Sequence, residues 1–516
     1  MAPLLPLAAQ TNVLTFHNNA ARTGQNLTET TLTLSNVNST TFGKLFQVTL
    51  DGVVDAQPLY VSGVAIPNQG THNVLIVATE NDSLYALDAN TGAQLWKVSL
   101  LRSGETPSDD RGCGQVTPQI GITSTPVIGL KSGTSQGAIF AVAMSKDSSG
   151  NYHQRLQEVG LGTGTRLATG VEITGAYPGT GDDSTDGYAY FDPKQYKERS
   201  GLLLMNGVVY LAWASHCDDS PYTGWIMGYS ATTLAQTSVI DVTPNGAEGA
   251  IWGAGAGLAA DSNGFIYFLD ANGTFDATVN AQGFPSSGDY GNSFIKLSAA
   301  GGKLTVADYF AMYNTTTESN GDVDLGSGGA LVLPDFTDAS GNVQHLAIGA
   351  GKDGNIYLVS RDNMGKFNPQ NDSAIYEELD GVLPGGVWSM PAYFDGLVYF
   401  GAVGGPIRAF QFNKARLSST PASVTTTSFP YPGATPSISA NGAANGILWA
   451  VQNNSPAVLH AYSADNLSQE LYNTSQAAGG RDEFGAGNKF MVPTIANGKV
   501  YVGTPNGVVA FGLLGQ

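Results

Sequence analysis

Positive charge is scarce in this sequence. Its 516 residues include 23 Lys and Arg against 42 Asp and Glu, which gives a formal net charge of −19. Such a chain repels phosphate backbones, so we expect no nucleic-acid partner. The sequence also lacks an apolar run long enough to span a bilayer and a basic amphipathic stretch suited to a membrane surface. We therefore expect no transmembrane segment.

Cysteine is nearly absent. The two that occur, Cys113 and Cys217, lie far apart in loop-like sequence. Two loop thiols of an exported protein usually pair, which favours a disulfide between them. Two free thiols are the alternative, and we give both equal weight. A zinc site is less favoured because no second Cys or His stands at ligand spacing near either cysteine. No Cys-x-x-Cys-His motif for a c-type haem occurs.

Helical periodicity is missing as well, since no stretch of ten residues or more repeats with a helical period. Hydrophobic residues make up 42% of the chain and charged residues only 13%, and there are 66 glycines. This combination can fill a large core beneath a polar but weakly charged surface with many turns. It is typical of an all-β protein.

One strand-rich unit recurs along the chain. Its second strand is an apolar run around a Tyr, as at 208–212, 265–269 and 499–503, which is typical of strands buried on both faces. The unit opens eight times, at Pro58, Pro126, Leu202, Leu258, Ala330, Pro391, Pro436 and Pro493. A four-stranded blade needs ~40–50 residues, so the longer gaps contain loop insertions. The predicted fold is an eight-bladed β-propeller, with seven blades as the alternative.

The two ends of the chain are predicted to meet. The last unit supplies about three strands, whereas residues 42–50 form a fourth strand with no unit before it. Pairing these two pieces closes the last blade and removes its exposed edges. Residues 12–516 are thus expected to form one domain. Residues 1–11 are expected to be a tail or the remnant of a signal peptide. Asn-x-Ser/Thr sites at Asn26, Asn272 and Asn314, together with the low Lys content, favour a secreted or periplasmic protein.

The stretch Ala-Leu-Asp-Ala-Asn-Thr-Gly-Ala-Gln-Leu-Trp at 86–96 resembles the tryptophan-docking corner of pyrroloquinoline quinone (PQQ) propellers. Its key positions are Asp88, Thr91, Gly92 and Trp96, and weaker copies centre on Ser230 and Ser463. Residues 16–24, Phe-His-Asn-Asn-Ala-Ala-Arg-Thr-Gly, are similar to the N-terminal signature of the same superfamily. The resemblance covers about residues 12–515. It implies a PQQ-like propeller, similar to exported bacterial repeat proteins of unnamed activity.

The resemblance to quinoprotein alcohol dehydrogenases is incomplete. Those enzymes hold PQQ against a Trp floor, under a disulfide between adjacent cysteines and beside a calcium ion. This chain has no adjacent cysteine pair. The docking corner is itself structural and does not bind the cofactor. PQQ and calcium therefore remain open as cofactors, without support from that hallmark.

Ligands of propellers usually bind at the central funnel, which is lined by loops that enter the first strands and by loops between second and third strands. Polar and aromatic residues predicted to lie there are the candidate ligand-binding residues: Asp55, Gln57, Gln119, Arg199, Asp218, Trp252, Trp388 and Lys489. Arg199 and Lys489 suit an anion, although pairing with nearby acids is the alternative. Lys352, in a turn-rich stretch, is expected to be structural.

Two residues are candidates for catalysis. His216, between Ser215 and Cys217, suits a general base if a neighbouring carboxylate raises its pKa. The alternative is that Cys217 forms a disulfide and His216 only fills the loop. Glu248 with Trp252 suits sugar binding, where an aromatic face stacks on the ring. The alternative is a Trp packed between blades.

An oxygen-rich loop is a weak candidate for a metal site. Asn272, Asp276 and Asp289 carry the carboxylate and amide oxygens that calcium prefers. Their spacing matches no known calcium loop.

Three classes of function remain. The favoured one is an exported propeller that binds a glycan, a small molecule or a protein through its funnel face. The alternatives are a quinoprotein-like oxidoreductase and a carbohydrate-active lyase or hydrolase that uses His216 or Glu248. Because the repeat alone supports no catalysis, the sequence leaves open whether the protein is an enzyme.

Overall fold

The computed structural model describes residues 11–515. The predicted tail, except for Thr11, lies outside this part. The described chain is almost entirely β-structure, with one α-helix, Thr315–Asn320, and short 3₁₀ segments at Gly253–Gly255, Ala300–Gly302, Leu325–Ser327, Thr474–Gln476 and Ala478–Gly480. Within 11–515, no helix is long and apolar enough to cross a membrane.

Eight sheets have four or more strands, and we number them in chain order. Sheet 1 contains Leu59–Ile66, Gly70–Thr79, Ser83–Asp88 and Gln94–Ser99. Sheet 2 contains Thr106–Asp109, Gln119–Ile120, Val127–Leu130, Gly137–Lys146, Tyr152–Gly160 and Val171–Glu172. Sheet 3 contains Leu203–Met205, Val208–Ala212, Trp225–Ser230 and Gln236–Asp241. Sheet 4 contains Ala259–Ala260, Phe265–Leu269, Ser293–Ser298, Thr305–Ala311 and Lys366–Phe367.

The second half of the chain continues the pattern. Sheet 5 contains Leu331–Val332, Leu346–Gly349, Ile356–Ser360 and Glu377–Leu379. Sheet 6 contains Ala392–Phe394, Leu397–Phe400, Gly405–Asn413, Arg416–Leu417 and Ser423–Phe429. Sheet 7 contains Gln25–Asn26, Ser437–Asn441, Ala444–Gln452, Val458–Ser463 and Asn466–Asn473. Sheet 8 contains Phe42–Thr49, Thr494–Ala496, Lys499–Thr504 and Gly507–Leu513.

Short strands in the connecting loops form three smaller sheets. Their strands are Ala176–Pro178, Ser184–Thr185 and Tyr188–Tyr190 in the first, Tyr196–Lys197 and Ala214–Ser215 in the second, and Phe336–Thr337 and Val343–Gln344 in the third. The second of these small sheets holds two loops at the candidate site, because it joins the residues before sheet 3 to those that follow its second strand.

The sheets pack face to face in a cyclic order. Separate apolar clusters join sheets 2 and 3, 3 and 4, 4 and 5, 5 and 6, 6 and 7, and 7 and 8. One further cluster contains residues of sheets 8, 1 and 2, so the last sheet packs on the first. This is the arrangement of a β-propeller. The apolar strands around a Tyr, such as Val208–Ala212, Phe265–Leu269 and Lys499–Thr504, are largely buried on both faces, as the sequence predicts.

The strand Phe42–Thr49 joins the two ends of the chain. It pairs antiparallel with Gly507–Leu513, from Phe42 opposite Leu513 to Thr49 opposite Gly507. This confirms the predicted closing strand. Because Gly507–Leu513 is hydrogen-bonded to this strand, its backbone is not an open edge of the final sheet.

The docking corner at Asp88 connects three sheets. The Asp88 carboxylate accepts hydrogen bonds from the backbone N–H groups of Asn90 and Thr91 at 3.0 and 2.9 Å. Gly92 has φ +76°, and a Cβ there would lie 2.8 Å from Phe46 of the closing strand. Trp96 donates from Nε1 to the carbonyl of Leu161 at 3.0 Å. The corner of sheet 1 thus contacts sheet 8 on one side and the chain after sheet 2 on the other.

The N-terminal segment, residues 13–29, crosses the innermost strands of all the large sheets. Its backbone bonds to Tyr60, Ile128, Ala260, Val332, Tyr393 and Ile438, and its side chains bond to the carbonyls of Leu202 and Ile495. These eight partners lie in, or directly before, the innermost strand of a different sheet, for example Val127–Leu130 in sheet 2 and Thr494–Ala496 in sheet 8. Inner strand edges would otherwise leave unpaired backbone groups in the centre of the ring.

Buried polar side chains fix this segment. The Arg22 guanidinium donates to the carbonyls of Leu258, Phe16 and Leu202 at 2.9, 2.8 and 3.2 Å. It also donates to the Thr15 hydroxyl at 2.7 Å. The two ring nitrogens of His17 lie 2.7 and 2.8 Å from the carbonyls of Arg22 and Pro436. All of these groups are buried, so each lost bond leaves a desolvated acceptor.

Replacing Arg22 tests this anchoring. We expect Arg22→Met to lower the free energy of unfolding by about 3 kcal/mol or more, because several buried acceptors lose a charged donor together. Arg102→Met is the control, since Arg102 is exposed and its contact with Glu172 is 4.0 Å long. The control should change stability by less than about 1 kcal/mol. Denaturant-unfolding midpoints measure both, and equal shifts would contradict the anchoring role.

Candidate functional site

A central cavity of about 160 Å³ lies among the loops that precede the first strands and follow the second strands. It is lined by Gln115, Arg199, Asp218, Trp252, Ala254, Asn272, Asp322, Asp324, Ser327, Lys352, Trp388, Tyr431, Lys489 and Phe490. Five of the predicted ligand-binding residues are therefore brought together: Arg199, Asp218, Trp252, Trp388 and Lys489. Phe16 of the N-terminal segment packs in one cluster with Ala256 and Met390, each two residues beyond a lining residue.

Arg199 is the cation of this cavity with the fewest protein contacts. The residue is 6% exposed, and its guanidinium lies 4.3 Å from the Phe490 ring and 5.5 Å from the Trp252 ring. Within the described chain the guanidinium makes no hydrogen bond or ion pair, and its Nε is buried without a partner. Burial lowers the pKa of Arg199 to about 10. The group therefore remains positively charged at neutral pH and lacks an anion.

Two lysines complete the positive side. The Lys489 ammonium lies 5.7 Å from the Tyr431 ring and donates a long hydrogen bond of 3.3 Å to the carbonyl of Gly114. Burial and the positive charge of Arg199 lower the pKa of Lys489. Lys352 instead forms ion pairs with Asp324, at 2.6 Å, and with Asp322. Burial opposes its charge, but these carboxylates raise the pKa of Lys352. The turn expected to be structural thus contributes to the cavity.

Aromatic rings also line the cavity, next to the cations. Trp388 and Tyr431 meet edge to face with their centroids 5.7 Å apart, and the Lys352 ammonium lies 5.9 Å from the Trp388 ring. Tyr431 is 48% exposed, which places it at the mouth. Flat rings and cations on one concave surface can bind a planar or ring-shaped anion.

A pair of buried carboxyl groups lies next to the cations. Asp55 accepts from Asn488 Nδ2 at 2.8 Å, and Asn488 precedes Lys489 in the chain. Glu80 accepts from the Gly121 N–H at 2.7 Å and from the Thr123 hydroxyl at 3.0 Å. Burial raises the pKa of Asp55, and burial together with the Asp55 charge raises the pKa of Glu80 well above its usual range. The pair therefore favours holding a proton.

Gln57 and Gln119 have structural contacts and are not among the residues that line the cavity. Gln57 accepts from the His17 N–H at 2.7 Å and donates to the Thr494 hydroxyl at 3.0 Å. Gln119 donates to the Glu80 carbonyl at 3.1 Å. Both were predicted at the funnel because they lie near strand starts, but each amide is used to join neighbouring loops.

Glu248 and Trp252, expected together, line different spaces. Trp252 lines the central cavity, whereas Glu248 lines an adjoining pocket of about 490 Å³ that shares Asn272 and Asp322 with it. Burial and the negative charge of Asp218 raise the pKa of Glu248. A ligand that contacts both residues must extend past Asn272.

The three predicted metal ligands have separate roles. The Ser287 hydroxyl oxygen lies 2.8 Å from a carboxyl oxygen of Asp276 and 2.8 Å from one of Asp289, and it can donate to one of them. Asp289 also accepts from the Asn245 N–H at 2.8 Å. Asn272 lines the cavity instead. Across residues 11–515, no group of three or more His, Cys, Asp or Glu side chains is arranged to hold a metal ion.

Cys113 and Cys217 form a disulfide, with their Cα atoms 5.8 Å apart. His216 beside it is buried, and its Nδ1 has no partner in the described part of the chain. Burial, together with the charges of Lys197 and Arg111, lowers the pKa of His216 to about 4. The expected rise towards neutrality is therefore wrong, because positive neighbours and burial outweigh Asp219.

The sequence did not reveal Gln115, Asp322, Asp324, Tyr431 and Phe490 as lining residues. Asp322 and Asp324 follow the α-helix in an insertion before sheet 5, and Tyr431 lies in the loop between sheets 6 and 7. Their position depends on the curvature of the whole ring. Among these residues, only Phe490 could be inferred from the sequence to line the cavity, because it directly follows the predicted Lys489.

We expect His216 to titrate at a lower pH than an ordinary histidine. A lowered pKa means that the fold favours the neutral ring, so its contribution to stability is complete above pH 6.5 and is lost as the pH falls towards 4. Imidazole proton NMR should give a midpoint of about 4 for His216. His72 is the internal control, because its hydrogen bond to Asp88 raises its pKa. His→Gln variants assign both signals, and a His216 midpoint at or above 6.5 would refute the burial effect.

No family model matches this chain, and no curated protein matches its sequence significantly. Solved structures do resemble it. The quinohemoprotein alcohol dehydrogenase of Comamonas testosteroni is 14% identical, with 99% of this chain and 82% of that chain covered and a TM-score of 0.65. The quinohemoprotein alcohol dehydrogenase ADHIIG of Pseudomonas putida HK5 is 14% identical over 98% of this chain and 80% of that chain, with a TM-score of 0.63.

A third solved structure is described as a europium-containing methanol dehydrogenase. It is 12% identical, with 97% of this chain and 98% of that chain covered and a TM-score of 0.59. At such identities the likeness concerns the fold and leaves the activity of this chain open. The chain therefore has the β-propeller fold of the quinoprotein alcohol dehydrogenases, as its repeats and docking corner predict.

Proposed function

We propose that this protein is a quinoprotein-like oxidoreductase whose central cavity binds a planar, multiply charged anion of the quinone-cofactor class, such as PQQ. The observation that carries the proposal is Arg199, a buried guanidinium at the cavity wall that has aromatic neighbours but no anionic partner. A buried cation without a partner is costly, and a bound carboxylate would offset that cost. This reading replaces glycan or protein binding as the leading hypothesis.

As part of the same proposal, we infer that the eight large sheets are eight blades and that residues 12–516 form one propeller domain. The cyclic sequence of apolar clusters supports this inference. The likeness to solved structures described as quinohemoprotein alcohol dehydrogenases and a methanol dehydrogenase supports a quinone cofactor, through the fold alone.

The residues of the cavity suit such a cofactor in charge and shape. Arg199 and Lys489 would pair with its carboxylates, while Trp252, Trp388 or Phe490 would contact its flat faces. When bound, a quinone of this kind supplies the capacity to accept two electrons from an alcohol. The cations would also stabilise negative charge that develops on ring oxygens.

The carboxyl pair offers a proton-accepting group beside the cations. Asp55 feels the charges of both Arg199 and Lys489, and its neighbour Glu80 has one oxygen, Oε1, buried without a hydrogen-bond partner. In the proposal, this pair takes up a proton released in the cavity. The raised pKa values of both carboxyl groups favour that uptake.

The cavity does not suit a calcium ion. Its carboxylates are Asp218, Asp322 and Asp324, and the last two are already paired with the Lys352 ammonium. Asp218 accepts a hydrogen bond from the Tyr222 hydroxyl. A cation at this position would compete with Lys352, so no step of the proposed reaction is assigned to a metal.

Glycan binding is the second candidate. The exposed Tyr431 and its edge-to-face contact with Trp388 form an aromatic rim of the kind on which sugar rings stack. An acidic sugar would use the same cations. Export of the protein is proposed on the basis of the disulfide, which persists in oxidising compartments.

Binding of PQQ to the purified full chain tests the leading proposal. We expect quenching of tryptophan fluorescence and a change in the PQQ absorption spectrum. Arg199→Met should weaken binding by roughly 10–100-fold, because it removes a charge-assisted hydrogen bond from a buried site. Lys489→Met should weaken it by about tenfold. Lys131→Met, an exposed lysine outside the cavity, is the matched control and should bind normally.

Two results would reject the cofactor proposal. One is the absence of PQQ binding to the unmodified protein at micromolar concentrations, and the other is equal affinity of Arg199→Met and Lys131→Met. A screen of neutral and acidic oligosaccharides then tests the second candidate. Glycan binding that is lost in Tyr431→Ala and kept in Arg199→Met would favour the aromatic rim over the anion site.

A further inference from the structure

The disulfide lies directly at the wall of the central cavity. Gln115 and Asp218 line the cavity, and they stand two residues after Cys113 and one residue after Cys217. The disulfide therefore joins two segments of the chain, each of which carries one lining residue of the cavity. Cys113 is 3% exposed, whereas Cys217 is partly exposed, so only one of the two sulfur-bearing residues is open to the solvent.

A lysine faces the buried sulfur. Lys197 is fully buried, and its Nζ lies 2.9 Å from Cys113 Sγ. No other hydrogen bond or ion pair of this ammonium occurs among residues 11–515. The short strand Tyr196–Lys197 fixes its position by pairing with Ala214–Ser215, which leads into Cys217. The lysine and the disulfide are thus held by the same small sheet.

The present partner of Lys197 is a poor one. A disulfide sulfur is a neutral and weak acceptor, so it does little to compensate a buried ammonium. Burial, together with the charges of Arg199 and Arg111, lowers the pKa of Lys197 to about 7. The other charged groups that face it are Lys489 and the carboxyl of Glu80. A thiolate at Cys113 would supply the negative charge that this position lacks.

We propose that Cys113–Cys217 is a thiol–disulfide exchange site for a small dithiol or a dithiol protein, with Lys197 holding Cys113 as the leaving thiolate. A thiolate of the reductant attacks Sγ of Cys217, and the S–S bond breaks. The electron pair goes to Cys113, which pairs with the Lys197 ammonium. The second thiol of the reductant then attacks its own sulfur in the mixed disulfide and releases Cys217. The reductant leaves oxidised. One of its two protons ends on the Cys217 thiol, and the other, released when the attacking thiolate forms, goes to the solvent because Cys113 stays a thiolate.

The direction of attack follows from exposure and charge. Exchange rates depend on which sulfur can be reached and on how well the leaving thiolate is stabilised. Cys217 is the more exposed of the two cysteines, so attack is expected there, and the buried Cys113 next to Lys197 is the better leaving group. This inference does not depend on the proposed cofactor, since it rests on the disulfide and Lys197 alone.

Thiol ionisation in the reduced state tests the proposal. In Cys217→Ser, the rate of iodoacetamide alkylation of Cys113 against pH should give a midpoint at least about one unit below the ordinary 8.5. Adding Lys197→Met should raise that midpoint by about one unit or more. Adding Lys194→Met instead is the matched control, because that lysine lies near the Tyr152 ring and does not contact the sulfur. It should leave the midpoint unchanged.

A second measurement needs no lysine substitution. Cys113 in Cys217→Ser should ionise at a lower pH than Cys217 in Cys113→Ser. In the unmodified chain, dithiothreitol should release two thiols while near-UV circular dichroism shows that the fold is retained. A disulfide that opens only when the protein unfolds would overturn the proposal. So would equal ionisation midpoints of the two cysteines, or no effect of Lys197→Met in a folded variant.

Discussion

The hydrogen bonding of the N-terminal segment to the inner strands is the interaction on which the rest of the structure depends. A ring of sheets directs the innermost strand of each sheet towards the centre, where its backbone groups have no neighbour on one side. Residues 13–29 supply partners in or directly before all eight innermost strands in turn. One stretch of chain thereby fills the centre, and residues 42–49 then pair with the last strand. The segment also reaches the region of the cavity, because its Phe16 packs with Ala256 and Met390, each two residues beyond a lining residue.

Two buried arginines near the centre of the molecule have different surroundings. Arg22, in the N-terminal segment, is satisfied by carbonyl groups, which need a strong donor and offer no counter-charge. Arg199, on the side of the cavity, has aromatic rings as neighbours. Burial of the positive charge is unfavourable for both arginines, and different neighbours offset that cost at each. Carbonyl bonds hold Arg22 for the fold, whereas Arg199 keeps its hydrogen-bonding capacity free for a ligand.

Local signals in the sequence predicted much of the fold. Asp88, Gly92 and Trp96 act within one turn, so their spacing is visible without any knowledge of the neighbouring sheets. The copy at Ser230 is harder to recognise because Leu234 takes a left-handed φ of 57° where Gly92 stands in the intact corner. The site was predicted only in part. Arg199, Trp252, Trp388 and Lys489 lie close to strand starts, while Lys352 and Tyr431 reach the cavity from turns and long loops. Which turns point inward depends on the packing of all the sheets, and short-range patterns do not contain that information.

The central cavity is lined by several cations although the chain as a whole is negatively charged, and this contrast favours an anion at the cavity. The chain has a net charge of −19, yet Arg199, Lys352 and Lys489 face one small cavity. Only Lys352 is neutralised by adjacent carboxylates, and the pKa of Asp324 is raised by burial although Lys352 opposes that rise. If carboxylates also paired with Arg199 and Lys489, the site would be neutral and would have no preference for an anion. Aromatic faces stabilise a cation without occupying its hydrogen-bond donors. The aromatic walls therefore keep one buried and one partly buried positive charge available, a combination that makes this cavity suited to an anionic ring system.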